Sequence, residues 1–292
     1  MAYSQLFSPS GIKKSLARLA RRIIPSTSLL SHNPLFKLIA DMSDIPARLV
    51  WPEFRALPPN HLRIRVGVGN RFFSNQTYYL THAESFWLYQ VSTGAVGFTS
   101  TIVDIGCGCG RFAHHLRDFR TNDCRFDGRY IGIDIDQEML DWCQTHFDSG
   151  RFEFIHSTHA SKSYAQDGGS STYSIPLPDC TADFVFSTSL FTHLLEGELR
   201  NYLEESFRIM RLGARMSMSF FCLDYPPPTY GGRHTFKHRI GNAAVESLAV
   251  PEAAVAYSEA FAVGVAREVG FSDVAVLGKD PAQWQRSLVA RR

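Results

Sequence analysis

Thr101-Ile-Val-Asp-Ile-Gly-Cys-Gly-Cys-Gly-Arg111 decides the fold. Thr101–Ile105 reads as a buried strand that runs straight into Gly106, Gly108 and Gly110. Phe112, Leu116 and Phe119 then recur at about helical spacing. Strand, glycine turn and helix together aim backbone N–H groups at a ligand. Glycines at alternate positions let that ligand approach the main chain, because no Cβ stands in the way. Tyr130-Ile-Gly-Ile-Asp134 is a second apolar strand ending in a carboxylate, and Met139-Leu140 opens the next helix. An acid at the tip of a second strand is placed to grip a ribose diol.

Nicotinamide and flavin folds use G-x-G-x-x-G with the acid about 20 residues on. Here the glycines run G-x-G-x-G, Asp104 precedes them by two, and Asp134 lies farther out. Val103–Arg111 and Gly132-Ile-Asp134 resemble the first two motifs of the class I S-adenosylmethionine-dependent methyltransferases. Asp183-Phe-Val-Phe-Ser-Thr188 and Leu190-Phe-Thr-His193-Leu194 resemble that family's fourth-strand motif and the segment after it. The resemblance covers roughly Arg65 to the C-terminus and names no substrate.

The resemblance implies an α/β fold: a doubly wound, seven-stranded, mainly parallel Rossmann-like sheet whose last strand is antiparallel. It implies S-adenosylmethionine as cofactor. The methionine end is expected over Gly106, Cys107, Gly108 and Gly110, with Arg111 as carboxylate partner. Asp134 is expected at the ribose, with helix capping as its alternative role, and Ile135 is expected along the adenine. Asp104 is expected to order the glycine turn and face the ammonium. Ser187, just past the fourth strand, is expected at the cofactor, and Arg65 is a further candidate for the carboxylate, on an N-terminal arm. The sequence departs from the family in two places. Ser157-Thr158-His159 stands where an acid usually meets the adenine amino group, which makes Thr158 or His159 the candidate there. Leu212-Gly213-Ala214 replaces Pro-Gly-Gly before the fifth strand, and Gly213 is expected to end a helix.

The chain has 292 residues, of which 45% are hydrophobic and 20% charged, as in an ordinary globular protein. The formal net charge of +2 gives no general argument for nucleic acid. No 18-residue apolar run spans a membrane. None of the six cysteines makes a C-x-x-C pair, so no metal site is expected, and Cys107 and Cys109 read as packing thiols of a cytoplasmic protein. Asn/Asp-Pro-Pro-Tyr/Phe, a Pro-Cys nucleophile pair and a G-x-S-x-G elbow are all absent. Nucleic acid is therefore not the expected substrate.

Charge is uneven. Lys13, Lys14, Arg18, Arg21, Arg22 and Lys37 precede the first acid, Asp41. Ile12, Leu16, Leu19 and Ile23 fall on one helical face among these cations, and Pro25 ends the pattern. Such a helix over residues 12–24 docks on its own domain or a second subunit, lies on a membrane surface, or serves as a removable presequence. Residues 1–95 read as this basic helix and a mostly helical, proline-punctuated arm, with Leu62–Val66 as a short strand, Val66-Gly-Val-Gly-Asn70 as a turn and Leu80–Val91 as an aromatic helix. That helix packs beneath the first strand or caps the substrate.

Residues 96–292 read as the methyltransferase domain. Its third, fourth and fifth strands fall at Arg151–His156, Ala182–Phe186 and Met216–Cys222. Ser161–Ser174 reads as a polar surface loop. An irregular substrate-side insert is expected at 223–251, a helix at Glu252–Val269, and last strands at Phe271–Leu277 and roughly Ala282–Val289.

Methyl transfer from a sulfonium needs alignment and exclusion of water more than acid assistance. A hydroxyl acceptor must also lose a proton, which histidine takes near neutral pH. His193, just past the fourth strand, is the candidate base, and Tyr230 and His234 in the aromatic insert are further catalytic candidates. The expected reaction is O-methylation of a small-molecule, glycan-like or lipid-linked acceptor. N- or C-methylation of a similar acceptor and a non-catalytic cofactor-binding partner subunit are the alternatives. A nicotinamide oxidoreductase stands further off.

Overall fold

The computed structural model describes residues 32–66, 75–121, 123–157, 173–225, 234–278 and 285–292. The basic segment 12–24, the turn at 67–70, Thr158, His159, most of the loop at 161–174 and Tyr230 lie outside them. The chain forms two compact units that meet between Gln76 and Thr77. The aromatic helix belongs almost wholly to the larger unit.

The smaller unit holds α1 (Pro34–Met42), α2 (Ile45–Val50), a 3₁₀ turn (Pro52–Ala56) and α3 (Asn60–Arg63). Asn33 caps α1, its side chain accepting the N–H groups of Leu35 and Phe36. The strand expected at Leu62–Val66 is absent, since Asn60–Arg63 is a helical turn. That turn aims Arg63 into a buried polar knot, where it donates to Asp44 at 2.7 Å and to Asn75 at 2.9 Å. Asn75 in turn donates to Asn60, and Asn60 to the Ala40 carbonyl.

In the larger unit, α4 (Gln76–Ser92) is followed by β1 (Thr101–Ile105) and α5 (Arg111–Arg117). A short hairpin, β2 (Arg120–Thr121) and β3 (Cys124–Arg125), precedes β4 (Arg129–Asp134), α6 (Gln137–His146) and β5 (Phe152–His156). Then come β6 (Ala182–Ser187), α7 (Glu196–Ile209) and β7 (Met210–Cys222). β8 (His238–Ile240), β9 (Ala243–Val245) and β10 (Val255–Tyr257) lead to α8 (Glu259–Val269), β11 (Ser272–Leu277) and β12 (Arg286–Arg291).

Seven of these strands run in the order β5-β4-β1-β6-β7-β12-β11. β5, β4, β1, β6 and β7 are parallel, and β12 is antiparallel to both of its neighbours. Covered on both faces, the central strands are nearly continuously apolar, as parallel strands require. The described sheet is larger than the expected seven strands. β7 pairs with β12 as far as Phe220, then overshoots and pairs with β10 at Phe221 and Cys222. β10, β9 and β8 extend that overhang, which brings the sheet to ten strands.

Three expected boundaries shift. The insert contributes strands where an irregular segment was expected, because β8 and β9 are too short to show an alternation in sequence. The helix expected from Glu252 starts at Glu259, where the Ser258 side chain accepts the Phe261 N–H, and the residues before it go to β10. Gly213 ends no helix. It lies inside β7 at φ +82°, in a bulge that sets Ala182 opposite Met210 but Phe184 opposite Arg215.

Candidate functional site

β1 delivers the chain into a turn whose Gly106, Gly108 and Gly110 all have positive φ, at 83°, 55° and 73°. The N–H groups of Gly106 and Cys107 donate to the Ile133 carbonyl at 2.7 and 3.1 Å, tying the turn to β4. The Cys107 side chain faces β4. It packs where Gly132 lacks a Cβ, a place that lies 2.8 Å from Cys107 Sγ and 2.9 Å from Phe154 Cδ1. The glycine of Gly132-Ile-Asp134 is therefore required by close approach. All six cysteines are free, and Cys107, Cys109 and Cys143 are buried around the turn.

Asp134 closes the turn from the other side. One carboxylate oxygen accepts the Gly108 N–H at 2.7 Å, and the other accepts the Asp136 N–H at 2.9 Å. Burial raises its carboxyl above the usual range, against the pull of these amide bonds. The helix-capping role belongs to Asp136, whose side chain accepts the Met139 N–H. Ile135 follows Asp134, and its carbonyl lies 3.1 Å from a ring nitrogen of His156. Ser157, buried at the tip of β5, donates its N–H to the Asp134 carbonyl.

Asp104 is wholly buried and accepts the Tyr130 hydroxyl through one oxygen. The expectation that Asp104 orders the glycine turn is thus replaced: Asp134 holds the turn amide, and Asp104 looks to β4. Its other oxygen has no hydrogen-bond partner, and burial raises its carboxyl to about 7. Arg111 is only 4% exposed, yet its Nε and Nη1 have no hydrogen-bond partner. Its guanidinium lies over the Phe112 ring at 5.1 Å and the Tyr78 ring at 6.0 Å. Ser187 is also buried with an unpartnered hydroxyl, on the strand beside β1. An acid oxygen, a guanidinium and a hydroxyl left without partners near the carboxyl ends of two adjacent strands fit the charged end of an amino-acid-like ligand.

α4 lies beneath this turn and does not cap it. The Tyr79 hydroxyl donates to the Cys109 carbonyl at 2.9 Å, and the Trp87 indole to the Phe112 carbonyl at 3.0 Å. Trp87 is fully buried against Phe86, Phe112 and Phe186.

The segment after β6 borders the turn, since a Cβ on Gly106 would stand 3.5 Å from Leu190 Cβ. Ser189 has φ 68°, a strained value for a side-chain-bearing residue, and its N–H donates to Ser219 Oγ at 2.7 Å. Three hydrogen bonds clamp this segment to the residues that follow the insert, 252–257. The Val255 N–H donates to the Thr192 carbonyl, the Tyr257 hydroxyl to the Leu194 carbonyl, and His193 Nδ1 lies 2.8 Å from the Glu252 carbonyl. A carbonyl only accepts, so Nδ1 carries the proton and the ring lone pair sits on Nε2. Burial holds the His193 pKa below its ordinary value, with the Glu252 bond acting the other way.

His234 sits with the overhanging strands, its ring 5.2 Å from Phe221 and 5.7 Å from Phe236. β6 separates the strand under it from β1, a lateral offset of roughly 10 Å at sheet spacing. His234 and the glycine turn thus share the carboxyl edge of the sheet without being neighbours. Arg65 belongs to the smaller unit, two residues beyond α3. Tyr78, Tyr130, Leu190 and Glu252 are parts of the site's surroundings that sequence reasoning missed. Tyr130 carried no signal in sequence, because only the parallel pairing that sets it beside Ile102 puts it on the face shared with Asp104.

Residues 103–218 match the family model described as a methyltransferase domain. The fold resembles a Pyrococcus horikoshii protein at 14% identity, over 82% of this chain and 98% of that one, with a TM-score of 0.50. A Methanosarcina mazei S-adenosylmethionine-dependent methyltransferase aligns at 18% identity over 70% and 97% of the two chains, TM-score 0.48. A Burkholderia thailandensis 1,6-didemethyltoxoflavin-N1-methyltransferase aligns at 14% identity over 88% and 86%, TM-score 0.43. The glycine turn, Asp134 and the central parallel strands lie in or beside residues 103–218, the part of the chain that matches the methyltransferase domain.

Proposed function

We propose that this chain methylates an oxygen atom of a small-molecule, glycan-like or lipid-linked acceptor. The observation that carries the reading is the His193 imidazole. Its tautomer is set by the Glu252 carbonyl, and it lies three residues from the Leu190 side chain that meets the glycine turn. S-adenosylmethionine supplies an activated methyl group on sulfur when bound. Arg111 would hold its carboxylate, the unpartnered Asp104 oxygen its ammonium, Asp134 its ribose and Ile135 its adenine.

The chain's own task is to align the acceptor and take one proton. His193, kept neutral by burial, accepts that proton at Nε2 and delocalises the charge toward the Glu252 carbonyl. Leu190 and the insert strands exclude water from the same edge. The Glu252 bond also favours a second reading, in which His193 only ties the residues that follow the insert to the segment after β6 and the acceptor is methylated at nitrogen or carbon.

Turnover assays against a metabolite pool separate the two readings. His193→Ala should lower O-methyl transfer by about 10²–10⁴-fold and remove the acidic limb of the pH–rate profile. Because the folded pKa is depressed, the wild-type limb should lie below 6.5, the ordinary histidine value. A profile equally flat in both proteins, with turnover retained, would remove the base. S-adenosylhomocysteine affinity should hardly change in the variant.

A further inference from the structure

The smaller unit wears its apolar side outward. Leu35, Leu38, Ile39 and Met42 recur at helical i, i+3, i+4 and i+7 spacing, and they are 65, 56, 51 and 58% exposed. On α2 and just after it, Ile45, Leu49 and Trp51 are 49, 70 and 49% exposed. The opposite sides of these helices are taken by Ala40 and by the Asp44–Arg63 knot. Single exposed apolar residues need no explanation, but a contiguous stripe over two successive helices marks a surface that something covers.

We infer that α1, α2 and Trp51 form a docking surface for an anionic lipid bilayer. Charge is the first argument. Asp41 is engaged by His61 at 2.8 Å, and Asp44 is buried against Arg48 and Arg63, so the acids of α1 and of the α2 cap are turned to internal pairs, while Glu53 beyond Trp51 is exposed. The sequence leading into it carries Lys13, Lys14, Arg18, Arg21, Arg22 and Lys37 before any acid. Basic residues flanking an apolar helical face are what draw a helix to an anionic surface, and tryptophan suits the headgroup boundary. No helix among the described residues is long and apolar enough to cross a membrane, so the surface lies on a bilayer. This inference does not depend on which acceptor atom is methylated.

The full-length protein should co-sediment with vesicles of phosphatidylcholine mixed with phosphatidylglycerol. It should do so much less with phosphatidylcholine alone, and salt should weaken binding by screening the cations. The double variant Leu38→Glu/Leu49→Glu should lose about tenfold or more in partitioning. Both side chains are more than half exposed, so its thermal midpoint and S-adenosylhomocysteine affinity should match wild type. Wild-type protein that stays in the supernatant, or that pellets equally with both vesicle types, overturns the inference. A wild-type dimer that the variant breaks into monomers without any vesicle binding overturns it in favour of a second copy. A large fall in the variant's thermal midpoint, again without vesicle binding, means that the chain's own segment covers the face.

Discussion

Replacing Arg111 by methionine should stabilise the ligand-free protein and weaken cofactor binding at the same time. Methionine keeps an unbranched apolar stem of similar reach, so what is removed is the charged fork. In the structure that fork is almost fully buried, with Nε and Nη1 unpartnered. Leaving such donors unmade costs about 1–3 kcal/mol, and more for a charged group. The Phe112 and Tyr78 rings return about 0.5–1 kcal/mol through cation–π attraction. The balance favours the variant by roughly 1–2 kcal/mol. For a domain of this size that is a rise of several degrees in thermal midpoint, at roughly 2–4 °C per kcal/mol. On binding, the loss of a charge-assisted hydrogen bond costs about 1.5–3 kcal/mol, or roughly 10- to 150-fold in Kd. Calorimetric melting of the ligand-free protein and titration with S-adenosylhomocysteine measure the two effects separately. A lower midpoint with unchanged Kd would refute the reasoning, because it would make the guanidinium a structural group.

Gly132→Ala should cost about 1–3 kcal/mol in chemical denaturation and weaken cofactor binding, because the new Cβ meets Cys107 and Phe154 at or below 3.0 Å and shifts the turn. Asp134→Ala should weaken S-adenosylmethionine by about 1.5–3 kcal/mol and speed hydrogen exchange at the Gly108 amide, which loses its acceptor. Retained affinity in that variant would place the ribose elsewhere. Asp104 predicts a pH dependence. Its folded carboxyl titrates at about 7 against an ordinary 3.8, so between these values the folded protein keeps a proton that the unfolded chain has released. Its contribution to stability is therefore fully present below about pH 4 and is lost as pH rises to about 7. Urea titrations across this range should show a shallower decline in Asp104→Asn, and an identical pH slope in both proteins would count against the assignment.

The order of strands and helices was legible because each core element carries its own period and punctuation. β1 and β4 are apolar runs that end in glycine or aspartate, and Gly270 at φ 118° closes α8 where a helix stop was expected. The glycine turn and Asp134 were legible for the same local reason: a positive-φ turn admits few residue types, and an acid at a strand tip has few other uses. What only the tertiary structure decided depends on register between distant segments. Tyr130 reaches Asp104 because β4 lies parallel to β1, and nothing within either strand states that pairing. Gly213 reads as a helix stop until the β6–β7 register makes it a bulge. Three-residue strands such as β8 and β9 owe their existence to the β7 overhang, too short a pattern for any period to show. The apolar stripe of α1 and its exposure both emerged only with the helix bounds and the packing around them. Periodicity tells which side of a helix is apolar, and only the packing of the other side, here Ala40 and the Arg63–Asp44 pair, tells which way that side turns.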